Sequence, residues 1–109
     1  MIRPVIKSVI TLSTLLLALS PAVTLAADGA ALYKSKTCTA CHGKDGKTPL
    51  LPTYPKIAGQ NAGYALQQMK DIKSGARSNG MSAAMKGVMH LVSDEEMKAL
   101  ADYVASLAP

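Results

Sequence analysis

The chain has 109 residues, of which 49% are hydrophobic, and a formal net charge of +5 at pH 7. It contains 2 cysteines and 2 histidines but neither Phe nor Trp. A chain of this length forms one domain with a small core. Its mild positive charge suits an acidic protein patch better than a nucleic acid, which argues against nucleic-acid binding.

The first 26 residues have the pattern of a secretory signal peptide. Arg3 and Lys7 form a basic region, an apolar stretch follows over residues 9–19, and small residues then offer cleavage sites. The apolar stretch is shorter than the roughly 20 residues that span a bilayer. We predict cleavage after Ala26, with Ala27 as the second choice. The mature domain, residues 27–109, is then expected in a bacterial periplasm.

The mature chain begins with a predicted helix that leads into a cysteine motif. Asp28 is a good N-cap for a helix over residues 29–36. Cys38-Thr39-Ala40-Cys41-His42 then gives the C-x-x-C-H spacing at which two thiols attach one haem covalently. His42 is the expected proximal ligand of the iron. A porphyrin would also supply the apolar volume that a small core without Phe or Trp lacks.

Other kinds of site use two cysteines at this spacing. A thioredoxin-like redox pair follows a strand, and no strand-like alternation precedes Cys38. A structural zinc site needs four ligands, which would require His42 and His90 at an unsuitable spacing. A disulfide across two residues would close too small a loop to stabilise the domain much. Covalent haem attachment is the favoured interpretation.

Two more helices are predicted downstream, after a loop. Residues 43–59 are rich in Gly, Pro, Lys and Asp, which excludes a continuous helix. Asn61 is expected to cap a helix that ends at Ser74, before Gly75. Its apolar face is predicted to contain Tyr64, Met69 and Ile72.

The last predicted helix has the clearest pattern. Ser93-Asp94-Glu95-Glu96 matches the S-x-x-E capping box, and its acidic residues suit the positive end of the helix dipole. Apolar residues then follow at helical spacing: Met97, Leu100, Ala101, Val104 and Leu107.

Three methionines between these helices are candidates for the second axial ligand. Met81, Met85 and Met89 are four residues apart. Methionines at this spacing commonly fill an irregular apolar surface. A thioether paired with histidine favours ferrous iron and raises the reduction potential, as suits an electron carrier. One of the three is therefore predicted to bind the iron.

Several segments in this order resemble the class I c-type cytochromes, specifically the small soluble bacterial monohaem type. They are C-T-A-C-H-G from Cys38, residues 54–60, Gly75-Ala76-Arg77, and residues 92–107. The resemblance covers residues 28–109. It implies an all-α cytochrome c fold, three to four short helices wrapped around one covalently attached haem c.

The resemblance also implies roles for individual residues. Cys38 and Cys41 match the thioether attachments, and His42 matches the proximal ligand. Counting back from Val92, Met85 matches the distal ligand, with Met89 and Met81 as alternatives. Pro52 matches the proline whose carbonyl accepts the proximal imidazole N–H, and Pro55 is the competing position. Gly29 or Ala30 is expected to allow close packing of the first and last helices.

Two other groups of residues are interpreted more simply. His90 could be an alternative distal ligand, but we predict a surface residue beside the ligand segment. Lysines flanking the attachment motif either serve solubility or surround an exposed haem edge and attract an acidic partner. They are Lys34, Lys36, Lys44, Lys47 and Lys56.

With both axial positions filled, the iron has no site for a substrate. We therefore expect a periplasmic one-electron carrier without catalytic residues. It is expected to be a monomer and to exchange electrons with redox proteins that have acidic patches. The first alternative is the electron-accepting haem subunit of a periplasmic dehydrogenase, for example one that oxidises a sulfur compound. A haem sensor or peroxidase is a further alternative, and it requires an open or labile sixth position.

Overall fold

The computed structural model describes residues 2, 4, 5, 13, 14 and 27–109. Five helices lie within these residues. They are α1 (Gly29–Ser35), α2 (Cys38–His42), α3 (Ala62–Ser74), α4 (Ser82–Met89) and α5 (Asp94–Ser106). No strand occurs among the described residues, and the all-α prediction is confirmed. The predicted signal peptide, residues 1–26, lies outside the described residues apart from five isolated positions.

The predicted caps begin and end the longer helices. Asp28 accepts two backbone N–H bonds in the first turn of α1. Asn61 accepts the N–H of the third residue of α3, and Gly75 ends that helix with φ 89°. Ser93 and Glu96 form both bonds of the capping box at the start of α5. Local side-chain hydrogen bonds therefore determine these boundaries.

Two of the five helices were not predicted as separate elements. The short α2 contains the cysteine motif, between Thr37 with φ 64° and Gly43 with φ 83°. α4 contains Met85 and Met89, and Met81 is its N-cap residue. Both additional helices are short, with 5 and 8 residues.

The core lies where α1, α3, α4 and α5 meet. Its buried hydrophobic residues are Tyr33, Met69, Ile72, Met89, Val92, Met97, Leu100, Ala101 and Val104. Tyr64 is 53% exposed and is not part of this core. As predicted, it shares a face with Met69 and Ile72, since all three line the cavity described below. Ala65, four residues before Met69, packs against the core.

The first and last helices pack closely at a glycine, as expected for Gly29. A Cβ at this position would lie 2.7 Å from Cβ of Tyr103 and still closer to the backbone of Ala99. Only glycine allows α1 and α5 this approach. Because α1 leads into α2, the contact also places the cysteine motif relative to the core.

Backbone hydrogen bonds hold the long loop between α2 and α3 in place. The carbonyl of Gly46 accepts N–H bonds from Ile57 at 2.8 Å and Ala58 at 3.0 Å. Gly59 N–H donates to the carbonyl of Val104 in α5 at 2.9 Å. These bonds bring residues 53–57 of the loop to the site described next. Within the described residues, no helix is both long and apolar enough to cross a membrane.

Candidate functional site

The cysteine motif lies along one side of a cavity of about 500 Å³. Cys38 and Cys41 both line the cavity and are half-buried, as is expected of residues three apart on one helical turn. The left-handed conformation of Thr37 starts this turn. A threonine with positive φ is uncommon, because the branched side chain crowds its own backbone. The chain therefore accepts local strain directly before the first cysteine.

Burial also affects the reactivity of the first cysteine. It raises the pKa of the Cys38 thiol, and the neighbouring Cys41 raises it further. Redox-active pairs of this spacing instead have a lowered thiol pKa, which supplies the reactive thiolate. The environment of Cys38 therefore does not favour thioredoxin-like chemistry.

His42 is oriented by a hydrogen bond from its ring. Its side chain is 8% exposed, and Nδ1 lies 2.9 Å from the carbonyl oxygen of Pro55. A carbonyl oxygen only accepts, so Nδ1 carries the proton and Nε2 keeps a lone pair for a metal. A hydrogen bond of this kind holds the ring orientation of a metal-binding histidine.

The choice of Pro52 as the acceptor was therefore wrong, and the competing Pro55 is correct. Pro52 is exposed and does not line the cavity. The bonds from Ile57 and Ala58 to Gly46 return the loop toward α2 just after Pro55. The path of the loop, not the residue type, decides which carbonyl meets the imidazole.

The three methionines all line the cavity but differ in their surroundings. Met81 is 48% exposed at the start of α4, where no side chain caps the helix. Met89 is 1% exposed and is part of the core. Met85 is half-buried and packs against the core from the cavity side. Only Met85 combines partial burial with a place outside the packed core.

The charges around the cavity are all positive. Arg77 and Lys56 line it, and no Asp or Glu is among its lining residues. Arg77 donates hydrogen bonds to two neutral side chains, from Nη1 to Gln68 at 3.0 Å and from Nε to Asn79 at 3.3 Å. An apolar cavity with two cations and no carboxylate fits a flat apolar group that carries two carboxylates, as haem does.

Tyr33, a core residue of α1, also shapes the site. Tyr33 is 1% exposed, lines the cavity, and donates from its hydroxyl to the carbonyl of Gly43 at 2.6 Å. Burial raises its pKa to about 12, so the phenol remains protonated. The bond ties the end of α2 to α1. The absence of Phe and Trp was the only sequence signal that could have drawn attention to this tyrosine.

The remaining candidates lie around the site rather than in it. His90 is exposed at the end of α4 and is not among the residues that line the cavity. Of the five flanking lysines, the four that are exposed are Lys34, Lys44, Lys47 and Lys56. Lys36 is half-buried and hydrogen-bonded to the chain between α4 and α5.

Comparison with known proteins identifies similar sequences. Residues 26–108 match the profile of the family described as "Cytochrome c". Cytochrome c-553 of Nitratidesulfovibrio vulgaris is 40% identical over 91 residues, which cover 84% of this chain and 87% of that protein. The thiosulfate dehydrogenase electron acceptor of Stutzerimonas stutzeri is 39% identical over 83 residues, which cover 70% of this chain and 37% of that protein.

A solved structure has the same fold. Reduced recombinant cytochrome c4 from Pseudomonas stutzeri superimposes with a TM-score of 0.66 at 32% sequence identity, over 73% of this chain and 46% of the other. The chain thus spans less than half the length of cytochrome c4 and of the thiosulfate dehydrogenase electron acceptor. The fold that the sequence resemblance implied is confirmed.

Proposed function

Since the chain belongs to the cytochrome c family, which makes it an electron-transfer protein with one covalently attached haem c, we propose a specific role and ligand set. The protein is a periplasmic one-electron carrier whose haem iron is bound by His42 and Met85. The observation that carries the ligand set is that the oriented imidazole and the half-buried thioether line one cavity with both cysteines.

The chain's own residues have distinct tasks in this proposal. When bound, the haem supplies a one-electron ferric/ferrous couple. Cys38 and Cys41 would hold it through thioether bonds, and Pro55 keeps the His42 ring in orientation. Arg77 and Lys56, which line the cavity, would bind its two carboxylates. Met85, half-buried at the cavity, would supply the second ligand and so keep water and substrates from the iron.

Transfer between proteins needs a surface for brief encounters. Lys44, Lys47 and Lys56 are exposed on the loop that follows the attachment motif. Such a group attracts an acidic patch and raises the association rate without requiring tight binding. We expect the rate of electron exchange with an acidic redox protein to fall as salt is added.

Export is the other part of the proposal. Residues 1–26 have the three-part pattern of a secretory signal, and attachment of haem outside the cytoplasm fits this destination. The mass of the mature holoprotein tests it, because cleavage after Ala26 or Ala27 leaves different N-terminal residues. Retention of Met1 in periplasmic extracts would contradict cleavage.

A second candidate function has one specific observation in its favour. A relative from Stutzerimonas stutzeri is named as the electron acceptor of thiosulfate dehydrogenase. If this chain has a similar role, it is the electron-accepting subunit of a periplasmic dehydrogenase. Copurification with a dehydrogenase at high salt would favour this subunit role over a free carrier.

A reductive titration of the holoprotein tests the carrier function, with carbon monoxide added at the end. We expect a single one-electron step and a ferrous haem that binds carbon monoxide only slowly. Rapid binding, or a substantial peroxidase rate, would indicate an open sixth position. The protein would then be a sensor or peroxidase.

A further inference from the structure

The short segment between α4 and α5 is held by hydrogen bonds from two distant lysines. The backbone N–H groups of Leu91 and Val92 close the last turn of α4, donating to Val88 at 3.0 Å and Met89 at 3.1 Å. The carbonyl groups of the same two residues accept from side chains. Nζ of Lys36 donates to Leu91 at 2.8 Å, and Nζ of Lys73 donates to Val92.

The two lysines approach this joint from different helices. Lys73 lies in the last turn of α3, 19 residues before its partner. Lys36 is the C-cap of α1, two residues before Cys38, and its ammonium also lies 3.6 Å from a carboxylate oxygen of Glu96. Cations suit the negative end of a helix, where carbonyl groups lack partners. The joint is thus linked both to α3 and to the start of the cysteine motif.

The other end of α4 has no comparable anchor. Met81, its N-cap residue, makes no side-chain capping bond and is 48% exposed. The preceding residues 78–80 are also exposed. A helix of 8 residues is marginal by itself, so its position depends on what holds its ends. Met85 lies seven residues, or about 10 Å of helix, from Val92.

We propose that Lys73 is a positioning residue that keeps the Met85 thioether on the iron by fixing the joint between α4 and α5. Val92 is 1% exposed, so loss of the lysine leaves its carbonyl without a partner in a buried place. The joint then loosens, and the methionine dissociates from the iron more often. This inference rests on the proposed ligation by His42 and Met85.

Imidazole binding to the ferric holoprotein tests the proposal. At high imidazole concentration, the binding rate reaches a limit equal to the rate at which the methionine leaves the iron. We expect this limiting rate to rise about tenfold in Lys73→Met, which is near the low end of the cost of leaving a buried carbonyl without its partner. Lys73→Arg, which keeps a cationic donor, should restore much of the wild-type rate.

Lys70→Met is the matched control, because Lys70 is exposed on the same helix. Its limiting rate should equal that of the wild type. Guanidinium unfolding of each holoprotein is measured alongside. A Lys73→Met protein with lowered stability but an unchanged limiting rate overturns the proposal, since the lysine would then have only a structural role.

Two further results distinguish failure of the proposed role of Lys73 from failure of the proposed ligation by His42 and Met85. A wild-type ferric protein without the weak far-red band of a methionine-bound haem would contradict the ligation itself. If Lys73→Met does not accumulate with haem, Lys73→Gln decides the matter, because its shorter side chain also removes the donor to the Val92 carbonyl. A limiting rate above the wild-type value supports the proposal, and an unchanged one overturns it.

Discussion

The two sides of the haem cavity are built in different ways. On the proximal side, the single 5-residue helix α2 supplies both cysteines and His42, and one loop carbonyl orients the imidazole. On the distal side, Met85 lies on a short helix whose fixed end is held by lysines 19 and 55 residues away from their partners. Local sequence therefore determines the position of His42, whereas tertiary contacts determine the position of Met85.

Removal of each ligand should produce the largest contrast. His42→Ala is expected to lower the yield of haem-loaded protein by more than roughly a hundredfold, since loss of even an orienting partner costs 10–100-fold in metal affinity. Met85→Ala should still accumulate with covalent haem. The measurement is the haem-to-protein ratio of periplasmic extracts. Equal yields of the two variants would show that the proximal side is not the dominant anchor.

The close contact between α1 and α5 is tested by replacing Gly29 with alanine, and the same change at Gly87 is the control. Gly29→Ala is expected to lower the free energy of unfolding by about 1–3 kcal/mol, because the new Cβ meets Tyr103 and the backbone of Ala99. Gly87→Ala in α4 meets nothing within 4 Å and should raise it by about 0.5–1 kcal/mol. Guanidinium unfolding of the two holoproteins measures both, and effects of the same sign would contradict the packing described.

Features determined by local sequence were predicted correctly, whereas features determined by tertiary contacts were not. The starts of α3 and α5 were predicted because Asn61 and Ser93 act within their own first turn. The cysteine motif was recognised because its spacing is local. Predictions that depended on the path of the chain fared worse, as with Pro52 in place of Pro55.

Long-range side-chain bonds left no sequence signal at all. The lysines at positions 36 and 73 resemble any other surface lysine in the sequence, and their partners are backbone carbonyls. The hydroxyl bond of Tyr33 to Gly43 was missed for the same reason. A backbone acceptor is present at every residue, so no pattern of residue types indicates which one is used.

Relief of the backbone strain at Thr37 should raise the stability, by less than Gly29→Ala lowers it. Thr37→Asn should raise the free energy of unfolding by about 1 kcal/mol, because asparagine adopts the left-handed region more readily than a branched residue does. Thr39→Asn, within α2, is the control and should change little, since the two residues have similar helix propensities. An unchanged stability in Thr37→Asn would mean that the strain is not relieved by this side chain.

The smallest expected effect concerns pH on the distal side. The backbone N–H of Ser93, and then the charge of Lys36, lower the pKa of Glu96 below its usual value. Its ionised form therefore stabilises the fold at neutral pH, and this contribution is lost as the pH falls through the lowered pKa. Glu96→Gln keeps the capping box but not the charge.

Unfolding of wild type and Glu96→Gln, compared between neutral pH and about pH 3, tests this dependence. The stability difference between the two proteins should be present at neutral pH and shrink on acidification. A difference that stays constant across this range would contradict a role for the charge.

The most direct test of the account is the far-red absorption of ferric holoprotein in wild type and in Met81→Leu, Met85→Leu and Met89→Leu. Leucine keeps the apolar volume, so the buried Met89 variant should fold. We predict a methionine-to-iron band in the wild type that is lost only in Met85→Leu. A band that survives in Met85→Leu, or is lost instead in Met81→Leu or Met89→Leu, would contradict ligation by His42 and Met85.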